Sequence, residues 1–135
     1  ALTTIGESAF YGDIGLKTLD FPEGLETLGA YSFKGCTDVS SVSLPTTLKT
    51  IGESTFYGCS GMKAIEIPEN VSTVGAYAFS RCTGLESVSF AGDAPAIGTA
   101  AFNSVKANVY YPADNVTWTA DVQQNYGGQL IWNQK

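Results

Sequence analysis

The chain has 135 residues, a net charge of −6 and a pI near 4.4, and it contains no histidine. Its length suits one domain, and a hydrophobic content of 44% is ordinary for a folded chain. The acidic balance argues against nucleic acid and anionic membrane surfaces as partners, because both require a basic face. No apolar run approaches the roughly 18 residues that a transmembrane helix needs.

A 23-residue unit recurs along most of the chain, and its cleanest copy runs from Leu48 to Asn70. Five glycines and five phenylalanines keep this period: Gly6, Gly29, Gly52, Gly75 and Gly98, with Phe10, Phe33, Phe56, Phe79 and Phe102. A fixed period of about 20–29 residues with an L-x-x-L-x-L pattern predicts a leucine-rich-repeat solenoid. Neighbouring turns of a solenoid bury a common core, so at least three turns are needed.

The repeats follow one another without slippage over 2–24, 25–47, 48–70 and 71–93. A fifth repeat starts at Ala94, loses its middle and returns to the pattern at Val109, with Pro112 two residues early. The chain opens inside a repeat, without the strand half that should precede Leu2. We therefore expect it to be a fragment of a longer protein, in which case the missing leader says nothing about location.

Each repeat contains an alternating apolar segment, at 16–21, 39–44, 62–67 and 85–90. Alternation with β-branched residues predicts a short strand, and a following proline ends it because proline has no backbone N–H. Ala91 replaces that proline in the fourth repeat. The G-x-x-x-F segment then predicts a short helical turn, and its phenylalanines should stack as an internal ladder rather than form a cofactor site.

The last segment, 113–135, shows no counterpart one period earlier and is expected to cap the open end of the solenoid. Trp118, Val122 and Tyr126 have the spacing of one helix face, and 130–132 reads as a closing strand. The tryptophans are expected to pack on the last turn, with sugar binding as the alternative.

These patterns predict an α/β fold. It is a leucine-rich-repeat solenoid of about five 23-residue turns, with parallel short strands, short helical turns and a C-terminal helix-strand cap. We expect a single domain over 1–135, divided into solenoid repeats at 1–112 and a cap at 113–135.

The consensus L-x-x-I-G-x-x-x-F-x-x-C-x-x-L-x-x-I-x-I-P over 2–112 resembles the BspA-type leucine-rich repeats of bacterial surface proteins. The segment from Val109 to Trp132 is similar to one that often closes such arrays. The resemblance implies a secreted or surface-anchored protein, with adhesion to host proteins or other cells, and no shared catalytic residues. Asp13 and Val105 depart from the pattern, since cysteine is expected there.

The three cysteines, Cys36, Cys59 and Cys82, share one repeat position. Zinc favours paired cysteines or histidines, which this spacing does not supply. A disulfide between neighbouring turns is within reach, but parallel side chains make its dihedral awkward. We therefore expect free, buried thiols that act as small hydrophobes.

The sequence offers no constellation for catalysis. Nucleophilic pairs with histidine are impossible, and Glu7 and Glu53 should lie about 10 Å apart, too far for a retaining carboxylate pair. We predict a protein that is not an enzyme and that has neither a cofactor nor a metal.

Two surfaces are candidates for binding. Tyrosines alternate between repeats at Tyr11, Tyr31, Tyr57 and Tyr77, which predicts a staggered aromatic stripe. The alternative is that large and small residues alternate to fill space between turns. The second candidate is the outward face of the strands, which is often the binding face of such repeats. Its candidate residues are Ser41, Ser43, Glu66, Ser87, Ser89 and Tyr110.

We therefore predict a non-catalytic adhesion module at the bacterial cell surface or outside the cell. Its expected partner is a host extracellular-matrix or cell-surface protein, or a carbohydrate, without insertion into the membrane. The alternative function is a structural spacer that displays another domain.

Overall fold

The computed structural model describes residues 2–135, which form eleven short strands joined by tight turns. The strands are β1 (Thr4–Ile5), β2 (Thr18–Asp20), β3 (Thr27–Leu28), β4 (Ser41–Ser43), β5 (Thr50–Ile51), β6 (Ala64–Ile67), β7 (Thr73–Val74), β8 (Ser87–Phe90), β9 (Ala96–Ile97), β10 (Lys106–Tyr111) and β11 (Gln129–Gln134). Residues 2–135 contain no α-helix, so nothing in this range qualifies as a membrane-spanning helix.

Two columns of parallel strands run along the solenoid. One is the sheet β1-β3-β5-β7-β9, and the other consists of the pair β2-β4 followed by the sheet β6-β8-β10-β11. Thr4 pairs with Thr27 and Thr27 with Thr50, so one repeat is one turn. The second column shows that there are about six turns rather than five, and the predicted parallel solenoid is confirmed.

The C-terminal segment is a further turn of the solenoid. Its strand β11 pairs with β10 along its full length, which confirms the strand expected at 130–132. Asn108 of β10 pairs with Ser87. A full 23-residue period would pair it with Leu85 instead, so the fifth repeat is two residues short, as predicted.

The helix predicted around Trp118, Val122 and Tyr126 is wrong. This segment consists of tight turns and bends, and its only helix-like bond runs from the N–H of Gln123 to the carbonyl of Thr119. The apolar residues recur at a helical spacing because their side chains pack, one after another, on the preceding turn of the solenoid. A curved loop can place side chains in this way as well as a helix can.

The predicted short helical turns are also wrong, because the G-x-x-x-F segments form stacked β-turns. The N–H groups of Ala9 and Tyr11 donate three residues back, to the carbonyls of Gly6 and Ser8, as in hydrogen-bonded β-turns. The intervening N–H groups of Ser8 and Phe10 donate instead to the next turn, over 2.9 and 2.7 Å. Since every second donor leaves the segment, the continuous i to i−4 bonding of an α-helix cannot form.

The phenylalanine ladder is confirmed and forms the centre of the core. Neighbouring rings lie 5.1–5.8 Å apart between centroids and are tilted by only 6–15°. Phe33, Phe56, Phe79 and Phe102 are fully buried, whereas Phe10 in the first turn is 40% exposed. The inner rings, Phe33, Phe56 and Phe79, therefore bury both faces against the rings of the turns on either side.

The glycine column lies where successive turns touch backbone to backbone. A Cβ atom at Gly52 would lie 2.8 Å from the backbone of Leu28 and Ala30, and one at Gly75 would lie 2.5 Å from the backbone nitrogen of Glu53. At Gly6 a Cβ would meet nothing within 4 Å. The position requires glycine because of contact between turns, not because of its own backbone conformation.

Candidate functional site

The strand face is ordered as the alternation predicts, with every second residue of the second column pointing outward. Ser41, Ser43 and Glu66 are exposed, and Ser87, Ser89 and Tyr110 are half-buried. The parallel register aligns Glu66, Ser89 and Tyr110 in one row. This face is small and polar, and apart from Tyr110 it lacks the large aromatic or arginine side chains that dominate most protein interfaces.

A more distinctive surface lies on the stacked β-turns, where three of the four candidate tyrosines surround Lys34. The Lys34 ammonium lies 5.8, 5.4 and 4.6 Å from the ring centroids of Tyr11, Tyr31 and Tyr57. These distances are within the range of cation–π attraction. We call Tyr11, Tyr31, Lys34 and Tyr57 the tyrosine cluster.

The repeat geometry explains why these four side chains meet. Lys34 occupies the repeat position of Tyr11 and Tyr57 in the adjacent turns, and Tyr31 precedes it by three residues. Tyr31 has a left-handed backbone, with φ of 60°, as do Ser8 and Ser54 at the same repeat position. The stacked turns impose that conformation, which is costly for a bulky residue, so local preference does not explain a tyrosine there.

Carboxylate groups lie at the edge of the tyrosine cluster and act on the hydroxyl group of Tyr31. The Tyr31 hydroxyl donates a hydrogen bond of 3.5 Å to Oε2 of Glu53. The negative charge of Glu53 raises the pKa of Tyr31 above its ordinary value, with smaller contributions from desolvation, the hydrogen bond to Glu53 and the charge of Glu7. Tyr31 therefore stays a neutral hydrogen-bond donor at neutral pH, and the surface combines one ammonium with two carboxylates.

Tyr77 lies outside the cluster. It shares the left-handed repeat position of Tyr31, with φ of 59°, but sits two turns further along and is 40% exposed. Serine and asparagine stand at the Lys34 position in the nearby turns, as Ser80 and Asn103, so no cation lies beside its ring there. The structure thus brings together three of the predicted tyrosines and leaves one apart.

The family model described as the BspA type leucine rich repeat region matches residues 1–117 in six copies. The chain belongs to the BspA-type leucine-rich-repeat family.

Solved structures of bacterial leucine-rich-repeat proteins share the fold of this repeat protein. A leucine-rich-repeat protein of T. pallidum is similar with a TM-score of 0.74 and 27% identity, over 80% of this chain and 51% of that one. The pneumococcal vaccine antigen PcpA is similar with a TM-score of 0.70 and 19% identity, over 98% of this chain and 42% of that one. A leucine-rich cell-surface protein of Faecalibacterium prausnitzii is similar with a TM-score of 0.70 and 20% identity, over 86% of this chain and 31% of that one.

The chain therefore spans about half or less of the length of each of these proteins. No curated protein sequence matches it significantly.

The three cysteines of the repeat protein are free and buried, as expected. The Sγ–H groups of Cys36, Cys59 and Cys82 donate to the carbonyls of Phe10, Phe33 and Phe56, over 3.0–3.3 Å. Burial raises the pKa of Cys82 to about 12 and that of Cys59 further, so these thiols are neutral and poor nucleophiles. Within residues 2–135, no group of three or more acidic, cysteine or histidine side chains is placed to hold a metal ion.

The tryptophans of the repeat protein pack into its last turns. Trp118 is 5% exposed, contacts Phe90 at 4.8 Å between centroids and donates from Nε1 to the carbonyl of Gly92. Trp132 is half-buried, and its Nε1 donates to the carbonyl of Gln124 over 2.9 Å. The packing interpretation is confirmed for Trp118, whose faces are not available to a sugar.

The candidate binding residues predicted from the sequence do not include Lys34 and Glu53, which interact with the tyrosines in the structure. The signal for both is present in the repeat alignment, because each lies about one period from a candidate tyrosine: Lys34 from Tyr11 and Tyr57, and Glu53 from Tyr31. Aligning charged as well as aromatic residues on the period would have found them.

Proposed function

We propose that this protein is a non-catalytic binding module of a bacterial surface or secreted protein, which adheres through its tyrosine cluster. The observation that carries the proposal is the convergence of Tyr11, Tyr31 and Tyr57 on Lys34 at the surface. Membership of the BspA-type family supports a binding role, and the likeness in fold to a cell-surface protein and a vaccine antigen supports a surface location.

The cluster has the properties of a binding hot spot. Tyrosine supplies a large contact area with only two side-chain torsions to immobilise, so it costs little conformational entropy on binding. Contact with Lys34 holds the rings in place before a partner arrives, which lowers that cost further. Glu53 and Glu7 add polar groups at its margin, as in the rim of a typical interface.

The proposed partner is a host extracellular-matrix or cell-surface protein. A protein partner is favoured over a carbohydrate because Trp118, one of the two tryptophans that could stack on a sugar, is committed to the core. Several copies of the module on one cell would bind with avidity, so even a weak single contact suffices for adhesion.

The non-catalytic part of the proposal rests on the state of the ionisable groups. The buried thiols are held neutral, and the chain has no histidine to activate a hydroxyl or a thiol. The carboxylates of Glu53 and Glu7 lie beside the tyrosine cluster, where they shape binding rather than a reaction.

The test is a titration of the purified protein over immobilised host extracellular-matrix proteins and a glycan panel. Replacing Tyr11 and Tyr57 together by alanine should weaken protein binding at least tenfold, which corresponds to about 1.4 kcal/mol. Val116→Ala is the matched control, because Val116 is 89% exposed and lies in the C-terminal turn. Undiminished binding by the double variant would place the site outside the tyrosine cluster, and no binding by any form would favour the spacer function.

A further inference from the structure

The second strand column is interrupted in its middle. Strands β2 and β4 are paired, as are β6 and β8, but no backbone hydrogen bond joins 40–45 to 63–68. A cavity of about 300 Å³ opens at this interruption. Val42, Leu44 and Pro68 give it an apolar lining, and Glu66 and Glu69 add two carboxylates.

A second cavity of about 320 Å³ continues the first along the proline ends of the strands. The two share Glu66 and Ala91, and the second extends past Phe90 to Pro112 and Lys135. We call the two together the edge groove. Its size is that of a site for one side chain or small group rather than for a folded domain.

Ala91 opens the edge groove. It occupies the repeat position that Pro45 and Pro68 hold in the preceding turns, and its side chain ends at Cβ. The N–H of Ala91 donates to the carbonyl of Ile67 over 3.0 Å, a bond that proline could not make. The departure from the repeat pattern thus removes a ring from the lining and lengthens the pairing of β8 with β6.

The carboxylates of the edge groove are not neutralised by the protein. Across residues 2–135, the single ion pair joins Lys49 to Glu26 and leaves Glu66 and Glu69 without a cationic partner. Lys135 stands at the far end of the groove and makes no ion pair with Glu66. The groove therefore presents unpaired negative charge beside an apolar lining, in a protein whose net charge is −6.

We propose that the edge groove is a second binding site, separate from the tyrosine cluster, that takes an arginine side chain of a protein partner. The aliphatic stem would lie on Val42, Leu44 and Pro68, and the guanidinium would face Glu66 and Glu69. Arginine is favoured because its planar fork can donate to two carboxylate oxygens at once. A sugar would require an exposed aromatic platform, but Phe90, the aromatic residue of the lining, is only 4% exposed.

The test uses the blocked peptide acetyl-Gly-Arg-Gly-amide as the probe in an NMR titration at low salt. The matched control peptide carries citrulline, which has nearly the shape of arginine but no charge. The arginine peptide should give saturable shifts of the backbone amides in 42–46, 66–69 and 91, which the citrulline peptide should not give. Added salt should reduce the affinity, because the attraction is between exposed charges.

Variants locate the site within the groove. Glu66→Gln with Glu69→Gln should weaken binding at least tenfold, and Ala91→Leu should block the groove sterically. Lys135→Gln should strengthen binding, since it removes a repelling charge. Glu86→Gln removes one carboxylate from an exposed position just before β8, outside the groove, and should leave the affinity unaltered. Thermal melts of each variant separate loss of binding from loss of folding.

Three outcomes would overturn the proposal. Equal shifts with both peptides would show that charge is not recognised. Binding that survives the double glutamate variant would place the peptide elsewhere, and shifts confined to Tyr11, Tyr31 and Tyr57 would assign it to the tyrosine cluster. Failure here would leave the adhesion proposal intact, because that proposal is tested by different variants on different partners.

Discussion

Gly75 illustrates at the scale of one residue how contact between turns dictates the sequence. Its Cα faces the backbone nitrogen of Glu53 in the preceding turn, so even a methyl group would have to displace the main chain. Gly6 holds the same repeat position, yet the space beside it is open in this structure. The two glycines are therefore a matched pair in which only the contact differs.

Gly75→Ala is expected to destabilise the protein by about 1–3 kcal/mol, the usual cost of forcing an extra methyl group into a packed site. Gly6→Ala should be neutral or slightly stabilising, because it restricts the unfolded chain without a clash. Urea unfolding of both variants measures the difference. If Gly6→Ala costs as much as Gly75→Ala, the glycine column serves backbone conformation and not contact between turns.

The buried thiols make stability depend on alkaline pH. The pKa of Cys82 rises from an ordinary value of 9.0 to about 12 on folding, chiefly through desolvation. The folded state then holds a proton that the unfolded state releases, so this contribution to stability is full below pH 9.0 and is lost as pH rises toward 12. The slope is at most about 1.4 kcal/mol per pH unit for each thiol.

Cys82→Ala should therefore lose less stability between pH 9 and 11 than the parent protein does. Denaturant melts of the two proteins at several pH values measure this, and the comparison cancels the titration of tyrosines and lysines. Parallel curves would show that Cys82 is not protected. Thiol titration of the native protein should also be slow, with three equivalents reacting after unfolding.

At the scale of the element, the phenylalanine ladder shows how a repeated side chain stabilises neighbouring turns together. Phe56 has a ring on each side, at 5.8 Å from Phe33 and 5.5 Å from Phe79. Phe10 has a neighbour on one side, Phe33, and is partly exposed.

Phe56→Ala is expected to cost about 3–5 kcal/mol, as for other fully buried phenylalanines. Phe10→Ala should cost clearly less, because less of its surface is buried and it contacts a single ring. Denaturant melts of the two variants give the comparison, and equal losses would contradict stabilisation by nearest neighbours.

The strands of the second column were predictable from the sequence, whereas the short strands of the first column and the turns that follow them were not. The alternation of Val88 and Phe90 with Ser87 and Ser89 determines which side of β8 is buried. The G-x-x-x-F segments have no comparable local signal, because the bonds that shape them run to another turn. The N–H of Phe56 donates to the carbonyl of Ala78, a partner that lies far along the chain. Either a helix or a stack of β-turns would bury the phenylalanine of this segment, so the sequence pattern alone does not distinguish the two structures.

At the scale of the whole molecule, the two ends of the solenoid differ. The first turn exposes Leu2, Phe10 and Ile14, by 40–63%. The last turn is instead docked through the six residue pairs that join β10 to β11, and through Trp118. We expect unfolding to begin at the first turn and the C-terminal turn to protect the array.

Deletion of residues 113–135 tests the protective role of the last turn. It would leave β10 without the strand that pairs with it and expose Val109, which is fully buried. Because the deletion exposes buried apolar surface at the end of the solenoid, the shortened chain should aggregate or unfold without cooperativity. Light scattering and thermal melts measure both. A monomeric product with an unchanged melting curve would show that 113–135 does not protect the array.

The binding surfaces were only partly predictable, because each depends on departures from the repeat. The period placed Tyr11, Tyr31 and Tyr57 on neighbouring turns, but not the meeting of their rings at Lys34. The edge groove depends on a missing proline at Ala91 and on an interruption between β4 and β6. The missing proline is visible in the sequence, but the interruption between β4 and β6 arises from the packing of whole turns.

The tyrosine cluster as an adhesive surface is tested most directly by the binding of protein-coated beads to cultured host cells. Beads present many copies, so weak contacts become measurable through avidity. Three coatings are compared at equal density: the parent protein, Tyr11→Ser with Tyr57→Ser, and Val116→Ser, each with its thermal midpoint recorded. The double tyrosine variant should lose most of its cell binding with little change in midpoint, while Val116→Ser binds like the parent. Full binding by the double variant, with its fold intact, would contradict adhesion through the tyrosine cluster.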